Sequence, residues 1–142
     1  MKILGLDPGT AATGFGIVVF DAGRLTLERC GVWRPPSKEA LPGRLDFLAA
    51  ALEQLIGEAA PAAVSVETVF AAANIASALK LAHARGVLLA AAARAKLPVF
   101  EYEPRLVKKA LVGYGQAEKE QVRAMVLSLL ARQRAREARA DR

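Results

Sequence analysis

Two carboxylates directly follow two short apolar runs, where a buried strand would place a charged side chain at its end. Asp7 follows the run 2–6, and Glu67 follows the run 63–66. If these runs form neighbouring parallel strands, their ends lie about 5 Å apart. Carboxylates that close repel each other unless a cation lies between them, and Mg²⁺ is a hard ion that suits carboxylate oxygens. The pair therefore predicts a divalent metal site.

Each carboxylate also has a simpler interpretation. Asp7 could be a turn-forming aspartate before Pro8-Gly9. The stretch Asp7-Pro8-Gly9-Thr10 is also similar to the phosphate loop of nucleotide-binding proteins of the actin and sugar-kinase type, although those proteins need two such domains. Glu67 could be a solvated strand end. With one histidine and one cysteine in the chain, a zinc site of the usual Cys/His type is excluded, so carboxylates would have to hold any metal.

Charge and composition favour a DNA-acting or RNA-acting protein in the cytoplasm. The net charge is +6 and the isoelectric point is about 9.9, which favours anionic partners such as nucleic acid. The single cysteine excludes an intramolecular disulfide and suits a reducing cytoplasm. We expect no membrane span, since no apolar stretch reaches roughly 18 residues without interruption. A length of 142 residues predicts a single domain.

The periodicity of apolar residues predicts an α/β domain with a mixed sheet. Strands are predicted at 2–6, 13–20, 24–33, 63–66 and 97–102, and helices at 41–59, 74–96, 104–111 and from about 117 onward. Three antiparallel strands come first, and parallel strands joined by crossover helices follow. Asn74 is the predicted N-cap of the long helix.

Three segments resemble the RuvC family of bacterial Holliday-junction resolvases. They read GLDPGTAATGFGIV (5–18), VSVETVFAAANIASALKLAHARGVLLAAA (64–92) and LPVFEYEPRLVKKALVGYGQAEKEQVRAMV (97–126), and the likeness extends over residues 1–130. The resemblance implies an RNase H-like fold, a five-stranded mixed sheet with helices on both faces. It also implies a homodimer that cuts opposed strands of a four-way DNA junction with Mg²⁺, leaving 5′-phosphate and 3′-hydroxyl ends.

The resemblance assigns catalytic roles to several residues. Asp7 and Glu67 match the family's first-strand and fourth-strand acids, which bind two Mg²⁺ ions together with acidic residues on the last helix; Mn²⁺ is expected to substitute. Asp141 is the candidate for that last group. Lys119 and Lys108 match lysines that lie against the scissile phosphate, where an ammonium group neutralises charge.

The resemblance also implies DNA contacts and partners. Phe70 matches an aromatic residue that stacks on unpaired bases near the junction centre, although it could also be a core residue that caps the next helix. Lys80, Arg85 and Lys109 are candidate backbone contacts, with a solvated helix face as the alternative. The long helix after Asn74 would form much of the dimer interface. The branch-migration proteins RuvA and RuvB would be partners.

The last segment departs from the family pattern. The family carries an Asp-x-x-Asp type of acidic pair there, whereas LLARQRAREARADR (129–142) contains Asp141 alone, and its companion would fall at position 144. We therefore expect the last helix to be cut short in this sequence. The chain is truncated, a further tail follows, or the native protein lacks the fourth acidic ligand. Glu137 is nearby but is expected on a solvated helix face. We expect this chain to bind four-way junctions and to cleave them poorly or not at all; the alternatives are a non-catalytic DNA-structure binder and a nuclease for RNA–DNA hybrids.

Overall fold

The computed structural model describes residues 1–68 and 74–140, with side chains through Ala131. Its elements are β1 (Lys2–Asp7), β2 (Thr13–Asp21), β3 (Arg24–Trp33), α1 (Leu41–Ala59), β4 (Ala63–Glu67), α2 (Ile75–Arg94), β5 (Val99–Tyr102), α3 (Pro104–Val112) and α4 (Lys119–Ala140). All nine elements predicted from the sequence are present in the predicted order. The five-stranded mixed sheet with crossover helices is therefore confirmed.

The sheet has the order β3-β2-β1-β4-β5. β1 is antiparallel to β2 and parallel to β4, and β5 is parallel to β4. Successive side chains of a strand point to opposite faces. Leu4 and Leu6 of β1, with Val64 and Val66 of β4, are therefore buried on one face, against the core residues of α1 and α2. The small residues Gly5 and Ser65 belong to the opposite face, beside α3 and α4.

α2 begins at its predicted cap and packs into the core. The Asn74 side-chain oxygen accepts a hydrogen bond from the backbone N–H of Ala76 at 2.8 Å. Within the described residues α2 is long and apolar enough to cross a membrane, judged by length and composition only. However, Ala84, Leu88 and Ala91 are buried in the core cluster that α2 shares with α1 and the sheet. A core helix of a globular domain has the same composition.

Two element starts differ from the sequence prediction for local reasons. β5 begins at Val99 rather than at residue 97, because Lys96 has a positive φ of 57° and the Leu97 N–H still bonds to Ala92 of the helix end. α4 begins at Lys119, two residues later than expected, because Glu118 serves as its N-terminal cap. These shifts leave the strand and helix order unchanged.

Candidate active site

The ends of β1 and β4 bring the two predicted carboxylates to the same edge of the sheet. Leu6 is in register with Val66, so the next residues, Asp7 and Glu67, follow side by side on the face opposite Leu6. Asp7 is exposed and Glu67 is half-buried. The juxtaposition expected from the sequence is therefore present in the fold, and it depends on the parallel pairing of β1 with β4.

A closed turn fixes the direction in which Asp7 leaves β1. The hydroxyl of Thr13, which is 0% exposed, donates to the Gly9 carbonyl at 2.8 Å and accepts from the Gly9 N–H at 3.2 Å. A Cβ at Gly9 would collide with the carbonyl oxygen of Ala12. The turn is therefore held by hydrogen bonds at its base and by close backbone packing at its tip. Asp7 itself is the last residue of β1, in register with Gly14, and the turn closed by Gly9 and Thr13 begins just after it.

Thr13→Val should destabilise the fold by disturbing this turn. The substitution keeps the shape of the side chain but removes both hydrogen bonds to the half-buried Gly9, at a cost of about 1–3 kcal/mol of unfolding free energy. Urea unfolding measures the loss, and Thr13→Ser, which keeps the hydroxyl, is the matched control. Equal stability of the valine and serine variants would contradict the role of the hydroxyl.

The environment of Glu67 raises its pKa. Burial contributes most, because it disfavours the charged form, and the negative charge of Asp7 adds to the shift, while Lys108 acts in the opposite direction. The two carboxylates thus form an acidic pair whose repulsion Lys108 only partly relieves. A hard divalent cation bound by both would remove this repulsion, so the donor set fits such an ion.

A cleft of about 520 Å³ opens beside the carboxylates. Lys108 of α3 and Lys119 of α4 line it together with Asp7 and Glu67, so two cations and two anions from four elements share one site. Tyr102 lines the same cleft, and sequence reasoning did not single it out. Tyr102 ends β5 in register with Glu67 and therefore points to the same face, a placement that becomes visible only once β4 and β5 are paired.

Three other predicted DNA contacts, Lys80, Arg85 and Lys109, are not among the described residues that line this cleft. Lys80 and Lys109 are exposed on α2 and α3. Arg85 forms an ion pair with Glu101 of β5 and borders a small pocket behind Asp7 and Glu67, so its side chain is not freely solvated.

Two predicted site residues, Phe70 and Asp141, lie outside the described residues. Among the side chains that are described, no group of three or more His, Cys, Asp or Glu residues is placed to hold a metal. The described part of the site therefore contributes a pair of carboxylates.

Comparisons with known proteins agree with this fold. The family model for crossover junction endodeoxyribonuclease RuvC matches residues 3–141. The crossover junction endodeoxyribonuclease RuvC of Solidesulfovibrio magneticus is 51% identical over 91% of this chain and 76% of its own length. That of Heliobacterium modesticaldum is 47% identical over 92% of this chain and 81% of its own. The structure of Thermus thermophilus RuvC in complex with a Holliday junction substrate superposes with a TM-score of 0.85, at 34% identity over 92% of this chain and 80% of that one.

The sheet, its strand-end carboxylates and these likenesses define a nuclease of the RNase H-like class. The chain belongs to the RuvC family of crossover junction endodeoxyribonucleases. Membership implies the use of a divalent metal ion. The names of the relatives favour the endonuclease over the binding-only alternative that the last segment suggested.

Proposed function

We propose that Asp7, Glu67, Lys108 and Lys119 form the cleavage centre with which this chain resolves four-way DNA junctions. The observation that carries the proposal is the cleft in which two strand-end carboxylates and two lysines from different helices meet. The family match supports the activity, and the junction-bound relative supports a four-way junction as the DNA that is bound. Cleavage of paired strands would leave 5′-phosphate and 3′-hydroxyl ends.

The residues divide the work by charge. Asp7 and Glu67 would hold Mg²⁺, with two ions per site and Mn²⁺ as a substitute. Bound divalent ions supply Lewis-acid activation of water and stabilise the leaving oxygen. Lys108 and Lys119 would contact the scissile phosphate and neutralise charge that develops on it. Asp141, outside the described residues, is proposed as a further ligand.

DNA binding would extend beyond the cleft. Phe70, outside the described residues, is proposed to stack on unpaired bases, a contact worth roughly 1–3 kcal/mol per base. The exposed Lys80 and Lys109 would contact the phosphate backbone. Arg85 would do so only if DNA competes for its guanidinium with Glu101, its partner in the free protein. RuvA and RuvB are proposed partners, and the cytoplasm is the proposed location.

The exposed side of α2 is the proposed homodimer surface. Ile75 is 80% and Leu79 is 58% exposed, which is unusual for large apolar side chains, and Ala82 and Gly86 continue the same exposed side at helical spacing. Small residues allow a second backbone to approach closely. A two-fold dimer would direct two cleavage centres at symmetry-related strands.

Leu79→Glu should shift the chain from dimer to monomer. A charge at a buried apolar contact is costly to desolvate, so we expect the dissociation constant to rise by at least about 100-fold. Analytical ultracentrifugation measures it. Leu127→Glu on α4, where Leu127 is 57% exposed, is the matched control and should remain dimeric. A Leu79→Glu variant that stays dimeric would place the interface elsewhere.

Cleavage assays with several substrates test the proposed function. A synthetic four-way junction, a linear duplex of the same sequence and an RNA–DNA hybrid are compared at equal ionic strength, because salt changes every such affinity. We expect Mg²⁺-dependent, ligatable nicks in opposed strands of the junction alone. Preference for the hybrid would favour the alternative nuclease, and binding without nicks would favour the DNA-structure binder. Calorimetry with ATP should show no binding, whereas the actin-like alternative requires ATP to bind.

A further inference from the structure

The two lysines of the cleft are held by one connection, the turn between α3 and α4. Lys108 lies in the middle of α3, and Lys119 is the first residue of α4. α3 ends at Gly113, which has a φ of 97° and whose N–H bonds to the Lys109 carbonyl at 2.9 Å. A Cβ at Gly115 would lie 3.3 Å from the Arg105 carbonyl oxygen, so the turn packs closely against the start of α3. The connection is therefore a defined structure.

Gln121 joins this turn to the first turn of α4. Its side-chain oxygen accepts a hydrogen bond from the Tyr114 hydroxyl at 2.7 Å and another from the Glu118 backbone N–H at 2.9 Å. The Glu118 carbonyl in turn accepts from the N–H groups of Gln121 and Val122 at 3.0 and 3.1 Å. Glu118 is thus the N-cap and Gln121 supplies the reciprocal bond of a capping box, which Tyr114 extends.

The residue that this cap holds is electrostatically out of place. A helix N-terminus carries partial positive charge, so a lysine at its first position is unfavourable for the helix itself. Lys119 nevertheless stands there, with the acidic Glu118 and Glu120 on either side in the sequence, and lines the cleft with the two carboxylates. Local rules are broken most often where function requires it. The cap offsets this cost by fixing the helix start.

We propose that Gln121, assisted by Tyr114, is a positioning residue that holds Lys119 over the Asp7–Glu67 cleft. The inference rests on the proposed role of Lys119 in the cleavage centre. Gln121 itself does not line the cleft, so it acts through the backbone that bears Lys119. Its loss should therefore matter only while Lys119 has its ammonium group.

A double-mutant cycle between Gln121 and Lys119 tests the proposal. Gln121→Ala is made in the native chain and in Lys119→Met, and single-turnover cleavage is measured with junction affinity as a function of salt without divalent ions. We expect Gln121→Ala to slow cleavage by about 5–20-fold in the native chain and by less than about twofold in Lys119→Met. The salt dependence of affinity should become shallower in the native chain only.

Two further variants separate positioning from loss of stability. Gln121→Glu keeps an acceptor at the capping position and should restore most of the activity. Leu55→Val, in the α1 core away from the cleft, provides a comparable loss of stability and should cleave at the native rate. If Gln121→Ala does not fold, Tyr114→Phe removes one of the two hydrogen bonds and is expected to give a smaller loss that also depends on Lys119.

The outcomes distinguish the inference from the function on which it rests. Equal losses from Gln121→Ala in both backgrounds, or no loss in the native chain, would overturn the positioning role while leaving the cleavage centre in place. A native cleavage rate for Lys119→Met would remove Lys119 from the proposed centre, and the positioning role would fall with it.

Discussion

Asp7→Asn should reduce single-turnover cleavage of a four-way junction by a factor on the order of 10³ or more. The amide is nearly the same size as the carboxylate, so the turn and the sheet should be preserved, but it lacks the negative charge that a divalent ion requires. Junction affinity should be unchanged or slightly tighter, because one negative charge beside the phosphates is removed. Cleavage and binding should therefore separate in this variant.

The control for Asp7→Asn is the same change at an exposed aspartate on the other side of the sheet. Asp46 lies on α1, which packs against the opposite face from the cleft. Asp46→Asn should cleave at the native rate. An unchanged rate in Asp7→Asn would remove Asp7 from the cleavage centre, and a joint loss of junction binding would point to misfolding, which thermal melting would detect.

Glu67→Gln should slow cleavage by a factor similar to that expected for Asp7→Asn. It should also make the metal-free protein more stable. In the native chain the pKa of Glu67 is raised by burial and by Asp7, so ionised Glu67 destabilises the folded state at neutral pH. Glutamine has no charge to desolvate. We expect the melting temperature to rise at neutral pH without divalent ions.

The raised pKa of Glu67 determines how its effect on stability changes with pH. When a carboxyl has a raised pKa in the folded state, its penalty is complete above that pKa and is relieved as the pH falls toward the ordinary value of 4.5. The stability gain of Glu67→Gln should therefore be largest near neutral pH and shrink on acidification. Melting curves from about pH 5 to about pH 8 measure this, with exposed Glu39→Gln as the control. A lower melting temperature at neutral pH would contradict the account.

With Mg²⁺ present, the native chain should have a higher melting temperature than Glu67→Gln, the reverse of the order without divalent ions. An ion that binds only the folded state raises its melting temperature in proportion to the logarithm of ion concentration over dissociation constant. The native chain should gain stability with Mg²⁺, whereas Glu67→Gln should gain little. The carboxylate pair would then lower the stability of the metal-free protein, and binding of an ion would restore that stability.

The carboxylate pair was predictable from sequence because it depends on the alternation of side chains along a strand and on the order of strands and helices. Both carboxylates end apolar runs, so Asp7 and Glu67 share an edge if β1 and β4 are parallel neighbours, and the fold pairs the two strands in that way. Lys108 and Lys119 came from the family resemblance, and the fold places both in the cleft. The role of each residue remains a prediction.

Other features could not be predicted because they depend on how elements pack. The Arg85–Glu101 pair joins α2 to β5, and its formation depends on the rotation of α2 about its axis, which spacing does not determine. The Tyr114–Gln121 hydrogen bond depends on the path of a glycine-containing turn. Tyr102 was missed for a different reason: register with Glu67 became visible only once β4 and β5 were paired.

Uptake of Mn²⁺ shows whether Asp7 and Glu67 together bind a divalent ion, because it reports on the carboxylate pair without DNA or cleavage. Binding is followed by the loss of the free-ion paramagnetic resonance signal as Mn²⁺ is titrated into the native chain, Asp7→Asn, Glu67→Gln and Asp46→Asn, with Mg²⁺ as competitor. We expect Mg²⁺-displaceable uptake by the native chain and by Asp46→Asn. Asp7→Asn and Glu67→Gln should each lose at least about tenfold in affinity for Mn²⁺. Equal uptake by all four proteins would contradict this expectation.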